Sequence, residues 1–542
     1  MKRYKILLLA VVAALVTGCY NDDTNTDYKT IDLPVIDNPE NDLALFVPNR
    51  AYKVKLADRL QITPNVVYKD MNDLSYRWVI DGKEVATTKD LDWECDMEAE
   101  LVYGYFEIHR NSAGNSTIFP FSVGLEQPYE RGYSLLVEKD GALRYDVITY
   151  VYPPTNPYTF TYYENASGIS FPFTGSNPRL KEYWSCEKNN IIGNTMFLDD
   201  DPENCMSFNG LSLLKEMTLK EEFLNEEFPE NFRLKDFMHG GFVSYVLADD
   251  GRIFPRKGSQ IYYTGRFLPL PLQYNGKQIN GKKFIGARYS EQVISGGNYG
   301  LIYEETEQGG RFLVVNFNYD TSSSATGQKA GQLTEFPEGS GMSGITDYEL
   351  VDGWHIKNQN RGYSGGNSSM LLLFRKKSDN KYYTREVFIK FTAATNGIDI
   401  SEAYDEVYRE LPEFGPDSKI CVIRLDGYGD AMYAPTGYIY YTAASNPRKV
   451  LSRPRNSKNA PVEFHTFDSE VVSIDHETFT RTNCYMAIAL ADGTVMTYAI
   501  RRSGLDPMTN QDTFDEERIV STYQVDGKVR WLGCKYGNIS AY

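Results

Sequence analysis

The sequence lacks the clustered positive charge that most nucleic-acid-binding proteins carry. Its 73 acidic side chains outnumber its 56 basic ones, which gives a formal net charge of -17, and no block of Lys and Arg interrupts this balance. Affinity for nucleic acid depends on cations that neutralise phosphates. We therefore expect no nucleic-acid partner.

Cysteine and histidine are scarce, and neither follows a metal-binding spacing. None of the seven Cys residues forms a C-x-x-C pair, and none of the five His residues stands three or four positions from another. Zinc knuckles, redox pairs and helical His pairs all require such spacings. The sequence accordingly predicts neither metal ligands nor a cofactor. Cys186 and Cys205 are close enough in sequence for a disulfide, although a single Cys is more often a small buried apolar residue.

A membrane-spanning apolar run is also missing. The longest candidate, Ile6 to Leu15, is about ten residues long, which is too short to cross a bilayer as a helix. It follows Lys2, Arg3 and Lys5, and this order of a basic and then an apolar segment predicts an export signal over residues 1–18.

The next residues resemble the bacterial lipobox. Val16, Thr17 and Gly18 are small or compact residues directly before Cys19, which the resemblance makes the site of lipid attachment. Asp22 and Asp23 resemble the acidic signal that sends Bacteroidetes lipoproteins to the outer face of the outer membrane. Residues 19–40 are polar and predict a flexible tether.

Residues 41–130 predict a small β-sandwich. Tyr76–Ile80 alternates apolar and polar residues and leads into an Asp81-Gly82 turn, and Gly104–Ile108 and Phe119–Val123 are later candidate strands. A Trp in a strand before a tight turn is typical of immunoglobulin-like sandwiches. This segment, together with Gly132–Gly141, resembles the PKD-like domain of Bacteroidetes lipoproteins.

Residues 131–542 predict a β-propeller of about seven blades. Strand pairs recur around turns near residues 141, 251, 310, 380, 437 and 493, a period of roughly 60 residues in which the first interval holds two units. A last turn at Asp526-Gly527 could supply strands that close the ring on its first blade. Two segments, Leu211–Phe228 and Ser401–Leu411, instead predict small helical insertions.

Catalytic motifs are weak throughout the chain. Ser364 lies in a G-x-S-x-G match, but a Gly-rich loop precedes it and a strand follows, which indicates a loop rather than a nucleophile elbow. Asp199–Asp201 and Asp426–Asp430 do not follow a calcium-loop spacing and are interpreted as solvated turns. Carboxylates paired only in space could still make a hydrolase.

Aromatic residues are abundant, at 14% of the chain. Most must fill the core, but Trp354, Tyr363 and Tyr428 stand beside glycines and are predicted to bind ligand, because flat rings with polar groups stack well on sugars and peptides.

The whole arrangement resembles the PKD-like family lipoproteins of Bacteroidetes. The resemblance implies an accessory lipoprotein held in the outer membrane by its lipid, with a SusC/SusD-like transporter complex and other surface lipoproteins as partners and a peptide or oligosaccharide as ligand. It supplies no catalytic residues. We therefore expect a non-enzymatic binding or docking subunit, with a surface glycoside hydrolase or peptidase at the propeller mouth as the alternative.

Overall fold

The computed structural model describes almost only β-structure. The described residues divide into two compact units, which meet in sequence between Glu126 and Gln127. No described helix is long and apolar enough to span a membrane. The structure describes residues 32–536, apart from 40–41, 43, 55–57, 98–100, 126–128, 130, 151–159, 188–189, 211, 241–242, 258–264, 287–298, 318–330, 357–366, 393–394, 424–437, 456, 479–483, 502–503, 506–511 and 514–515.

The first unit is a β-sandwich, as predicted, but it begins before residue 41: the strand Val35–Ile36 lies in the segment predicted as a flexible tether and pairs with Val66–Val67. A five-stranded sheet in the order β2-β9-β8-β5-β6 packs on the strand pairs β3-β7 and β1-β4 around a single core. A one-turn 3-10 helix, Met71–Asp73, precedes the fifth strand. The strands are β1 (Val35–Ile36), β2 (Ala51–Val54), β3 (Arg59–Ile62), β4 (Val66–Val67), β5 (Leu74–Ile80), β6 (Lys83–Ala86), β7 (Leu91–Glu94), β8 (Leu101–Arg110) and β9 (Asn115–Leu125).

Trp78 is fully buried at the centre of this core. Its indole stacks on Phe106 with a centroid distance of 4.2 Å, and its Nε1 donates to the carbonyl of Thr88 at 3.0 Å. The turn after β5 is the predicted one: Asp81 and Gly82 have φ values of 50° and 73°, the left-handed pair that a two-residue hairpin requires.

The second unit contains the remaining strands. Its first half consists of β10 (Arg131–Lys139), β11 (Ala142–Tyr150), β12 (Phe160–Tyr163), β13 (Ser170–Phe171), β14 (Arg179–Glu187), β15 (Asn190–Leu198), β16 (Met206–Asn209), β17 (Lys215–Thr218), β18 (Leu234–Gly240), β19 (Val243–Ala248), β20 (Ile253–Lys257), β21 (Gln273–Tyr274), β22 (Lys277–Gln278), β23 (Gly281–Ile285), β24 (Tyr299–Thr306), β25 (Gly309–Asn316) and β26 (Leu333–Glu335). Its second half consists of β27 (Tyr348–Ile356), β28 (Asn367–Lys376), β29 (Tyr382–Thr392), β30 (Gly397–Glu402), β31 (Arg409–Glu410), β32 (Ile420–Val422), β33 (Tyr438–Ala443), β34 (Asn446–Pro454), β35 (Val462–Thr466), β36 (Val471–Thr478), β37 (Cys484–Leu490), β38 (Thr494–Arg501), β39 (Gly504–Leu505), β40 (Asp512–Thr513), β41 (Glu516–Gln524) and β42 (Lys528–Tyr536).

These strands form a seven-bladed propeller within the described part of the chain. Blade 1 consists of β42 with β10–β13, blade 2 of β14–β17, blade 3 of β18–β20, blade 4 of β23–β26, blade 5 of β27–β31, blade 6 of β32–β35, and blade 7 of β36, β37, β38 and β41. Seven apolar clusters each join two successive blades, and the last joins blade 7 to blade 1. A ring of seven shared cores is the arrangement that buries both faces of every sheet.

The predicted repeat corresponds to the hairpin turn between the second and third strands of each blade. Turns at Asp140-Gly141, Asp249–Gly251 and Asp492-Gly493 occupy this position. The first interval, between the turns near residues 141 and 251, holds two units because blade 2 lies within it. Gly437 lies outside the described residues, and the corresponding turn of blade 6 lies instead at Ala444 and Ser445.

The two predicted helical insertions are wrong. Leu211–Phe228 contains β17 and turns, with a 3-10 turn at Leu224–Glu226, because its apolar residues separate between two cores: Leu213 packs between blades 1 and 2, while Leu219 and Phe223 pack between blades 2 and 3. Ser401–Leu411 continues β30, bends, and ends in β31. A third short 3-10 helix spans Pro202–Asn204.

Cys205 is a buried thiol, so the possible disulfide with Cys186 does not form. Its Sγ accepts from the backbone N–H of Asp199 at 3.2 Å. Asp199 is itself buried rather than solvated, and its carboxylate accepts from the backbone of Thr174 and Gly175. This part of the acidic segment therefore organises a turn.

Candidate functional site

The innermost strands of the propeller surround a central cavity. The innermost strand of each blade lies at one end of its sheet and contacts the innermost strands of the blades beside it. For example, β14 contacts β42 and β18, β23 contacts β18 and β27, and β36 contacts β32 and β42. The seven innermost strands are β42, β14, β18, β23, β27, β32 and β36. The cavity has a volume of about 710 Å³ and is lined from six of the seven innermost strands.

Charged side chains of both signs line this cavity. The basic residues are Arg179, Lys181, Lys235, Lys282 and Lys283, and the acidic ones are Glu182, Asp200, Asp236, Asp249, Asp352 and Asp475. Sequence reasoning considered only Asp200 among them, as part of the Asp199–Asp201 segment, and interpreted that segment as a solvated turn. The only local signal was a charge beside apolar residues of a short strand, as in Leu234–Phe237, and this signal is common in solvent-facing strands.

Ion pairs between neighbouring blades fix several of these charged side chains. Lys181 Nζ of blade 2 lies 3.2 Å from Asp236 Oδ1 of blade 3, and Lys283 Nζ of blade 4 lies 3.1 Å from Asp352 Oδ1 of blade 5. Burial alone would raise the pKa of Asp236, but the charges of Lys181, Lys283 and Arg179 lower it below its ordinary value. The pKa of Lys283 is raised, chiefly by Asp352. Two of the cavity lysines are thus fixed by carboxylates of the next blade.

β-bulges recur near the beginning of the innermost strands. In β18, β23, β27, β36 and β42 one residue is inserted against the neighbouring strand, at Lys235, Lys282, Val351, Val472 and Arg530 respectively. A bulge changes the direction of the side chains around it. Two of these inserted residues, Lys235 and Lys282, are cavity lysines.

His239 contributes a neutral polar group to the wall. It is half-buried, and its Nδ1 lies 2.7 Å from Ser244 Oγ. Burial, together with the charge of Arg256, lowers the pKa of His239 to about 3. The imidazole is therefore uncharged at neutral pH and can serve as a hydrogen-bonding group but not as a cation.

Of the predicted ligand-binding aromatics, Trp354 lies on this cavity. It is half-buried, packs against the core between blades 5 and 6, and shares the cavity wall with Trp531. Tyr363, Tyr428, Ser364 and the predicted lipid-attachment residue Cys19 lie outside the described residues. Asp426–Asp430 also lies outside them.

The cavity carboxylates bear on the hydrolase alternative. A general acid needs a raised pKa, whereas the pKa of Asp236 is lowered and Asp352 is paired with a lysine. The carboxyl of Glu222 does have a raised pKa, because it is buried, but it pairs with Arg256 away from the cavity lining. Asp236 and Asp352, two of the six carboxylates that line the cavity, are therefore poor candidates for a general acid.

Comparison with known proteins places a family domain at the beginning of the chain. Residues 19–171 match the model of the PKD-like family, a span that covers the first unit and continues through β13. A search of curated proteins found no match.

Solved structures similar to this chain include two from Bacteroides. A quinonprotein alcohol dehydrogenase-like protein from Bacteroides thetaiotaomicron is 10% identical, with 92% of this chain and 98% of that chain covered and a TM-score of 0.35. A DUF4784 family protein from Bacteroides caccae is 10% identical over 90% of this chain and 97% of that chain, with a TM-score of 0.28. The Nup133 β-propeller domain of Vanderwaltozyma polyspora is 12% identical over 72% and 96%, with a TM-score of 0.31.

Proposed function

We propose that this protein is a non-enzymatic surface lipoprotein of the outer membrane that binds a peptide or oligosaccharide in the central cavity of its propeller. In this proposal it is an accessory subunit of a SusC/SusD-like TonB-dependent importer. The cavity is the observation that carries the proposal. Its volume lies within the range of about 300 to 1,000 Å³ that is typical of ligand sites.

The chemistry of the wall suits a polar ligand with flat or apolar faces. Paired charges such as Lys181 with Asp236 offer fixed donors and acceptors to hydroxyl or amide groups, while Trp354 and Trp531 offer indole faces. Sugars and peptides both combine these two requirements. Because five basic and six acidic side chains leave the wall with little net charge, a strongly charged ligand gains little from it.

The binding test compares Trp354 with an exposed aromatic on the other unit. The chain from residue 20 is titrated calorimetrically with a panel of oligosaccharides and short peptides, as wild type, Trp354→Ala and Tyr103→Ala. Tyr103 is 75% exposed in the first unit and provides the matched control. We expect Trp354→Ala to weaken the binding of the best ligand by about tenfold, or about 1.4 kcal/mol, and Tyr103→Ala to leave it unchanged.

Two results would count against this binding site: wild-type protein that binds nothing in the panel, or a Trp354→Ala variant that binds as tightly as wild type. Turnover of a panel ligand that a single Asp or Glu substitution abolishes would favour the hydrolase instead. If no SusC/SusD-like complex co-purifies from the native membrane, this result would contradict the accessory role but not the binding site.

The anchor rests on Cys19. Its position directly after the lipobox-like residues supports lipidation, and the PKD-like match begins at this same residue. We expect labelled fatty acid to enter the wild-type protein and not a Cys19→Ala variant, and added protease to digest the wild-type protein on intact cells. Labelling of both proteins, or complete protection of the wild type, would contradict a surface lipoprotein anchored at Cys19.

A further inference from the structure

Three side chains with metal-binding atoms converge where blades 6 and 7 meet. Cys421 lies on β32, and Asp475 and His476 lie on β36. Cys421 Sγ is 3.4 Å from His476 Nδ1, which is 3.7 Å from Asp475 Oδ1, and one donor atom of each residue lies within 4.8 Å of the others. Cys421 and His476 are 2% and 3% exposed, whereas Asp475 is half-buried and lines the central cavity.

Two of the three separations fit one tetrahedral ion directly. With Zn–S of about 2.3 Å and Zn–N of about 2.05 Å, a tetrahedral angle places sulfur and nitrogen about 3.6 Å apart, and a nitrogen and a carboxylate oxygen about 3.4 Å apart. The distances of 3.4 and 3.7 Å each differ from these by a few tenths of an ångström. The third separation, from Cys421 Sγ to the Asp475 carboxylate, is within 4.8 Å, whereas the same geometry needs about 3.6 Å. Binding an ion would therefore draw the half-buried Asp475 carboxylate inward by up to about 1 Å, while the backbone of the strands can stay in place.

The carboxylate is already oriented by its neighbours. Asp475 Oδ2 accepts from the backbone N–H of Cys534 on β42 at 2.8 Å, and Oδ1 accepts from the backbone N–H of His476 at 2.8 Å. Hydrogen bonds of this kind fix ligand direction in metal sites. Three strands from blades 6, 7 and 1 thus hold the cluster.

We propose that Cys421, Asp475 and His476 form a zinc site in the wall of the central cavity. One thiolate, one imidazole and one carboxylate make a donor set that suits Zn²⁺ better than the hard cations Ca²⁺ and Mg²⁺, which take oxygen ligands. Three protein ligands leave a fourth position for water. The ion would link the innermost strands of two blades, and this inference does not depend on the proposed peptide or glycan ligand.

The experiment measures metal binding directly. Metal-stripped chain from residue 20 is titrated with Zn²⁺ by calorimetry and with Co²⁺ by absorption. We expect one Zn²⁺ per chain with a Kd below about 1 µM, and a thiolate-to-cobalt charge-transfer band. Cys421→Ser and His476→Gln should each weaken Zn²⁺ binding by at least about tenfold, and Cys421→Ser should also remove the band.

Cys95→Ser is the matched control, because Cys95 is a buried thiol in the first unit. It should keep both the affinity and the band. If Cys421→Ser fails to fold, as shown by circular dichroism, the half-buried Asp475→Asn variant provides the same test through affinity. Absence of stoichiometric Zn²⁺ binding, or equal binding by the ligand variants and wild type, would overturn the site and leave a hydrogen-bonded thiol and imidazole in its place.

Discussion

Asp236 shows how single side chains of the central cavity depend on neighbours from other blades. The residue is buried in β18, and an isolated buried carboxyl would have a raised pKa. Lys181 and Arg179 of blade 2 and Lys283 of blade 4 reverse this effect and lower the pKa. The charge of Asp236 is therefore a property of the assembled ring and not of β18.

Replacing Asp236 with Asn should destabilise the propeller in a pH-dependent way. A carboxyl whose folded pKa is lowered contributes stability above its unfolded value of 3.8 and loses it as the pH falls through the folded value. We expect a loss of about 1 to 2 kcal/mol at pH 7, moderated because the Lys181 side chain is 40% exposed, and a smaller difference below about pH 4.

Urea unfolding at pH 7 and pH 3 measures this difference. Asp417→Asn, which changes an exposed aspartate, serves as the control and should alter the free energy of unfolding by less than about 0.5 kcal/mol. A loss of stability for Asp236→Asn that is equal at both pH values would contradict the role given to its charge.

At the scale of secondary-structure elements, a buried ion pair joins blades 2 and 3. Glu222 follows β17, Arg256 lies in β20, and their side chains are 0% and 2% exposed. The guanidinium also donates to Ser244 Oγ at 3.2 Å and lies 4.5 Å from the centroid of the Phe267 ring. Burial raises the pKa of Glu222 although Arg256 opposes this. The pair ties the segment after β17 to the neighbouring blade.

Arg256→Met should cost about 3 to 5 kcal/mol of unfolding free energy at pH 7, because the Glu222 carboxylate stays buried without the arginine charge. Because the pKa of Glu222 is raised in the folded state, its contribution to stability is present below its unfolded pKa and is lost as the pH rises. The cost of Arg256→Met should therefore be smaller near pH 4 than at pH 7. Arg256→Met combined with Glu222→Leu should cost less than Arg256→Met alone. Denaturant unfolding of the single and double variants tests this, and costs that simply add would contradict a coupled pair.

At the scale of the whole molecule, the last strand that the structure describes, β42, closes the propeller. β42 pairs with β10 over Arg131–Glu138, and Val529 and Leu532 are buried in the core shared by blades 7 and 1. Closure covers the apolar sheet faces that the two end blades of an open array would expose. β42 therefore completes blade 1, whose other strands begin some 400 residues earlier in the sequence.

Truncation after Val525 should abolish the cooperative unfolding of the propeller, because it removes β42 and opens the ring. The first unit has its own core around Trp78 and should keep its own thermal transition. Truncation after Tyr536 retains β42 and should unfold like the full chain. Differential scanning calorimetry separates these cases, and a chain without β42 that retains the propeller transition would show that closure is dispensable.

Local patterns in the sequence were enough to predict the β class, the sandwich, the number of blades and several turns. Alternation over Tyr76–Ile80 and the pairs Asp81-Gly82 and Asp140-Gly141 specify hairpins through neighbouring residues alone. The same local reasoning failed for Leu211–Phe228. The spacing of its apolar residues resembles that of a helix, but these side chains pack into two different cores.

Tertiary structure alone decided the cavity and its contacts. A propeller places the innermost strands of successive blades side by side although dozens of residues separate them in the chain, so the meeting of Lys181 with Asp236, or of Cys421 with His476, leaves no short motif. Trp354 was predicted to bind ligand because it is an aromatic residue beside a glycine, but the cavity that it lines exists only in the closed ring. Local backbone preference determines strands and turns, whereas the burial of both faces of every blade determines which strands meet.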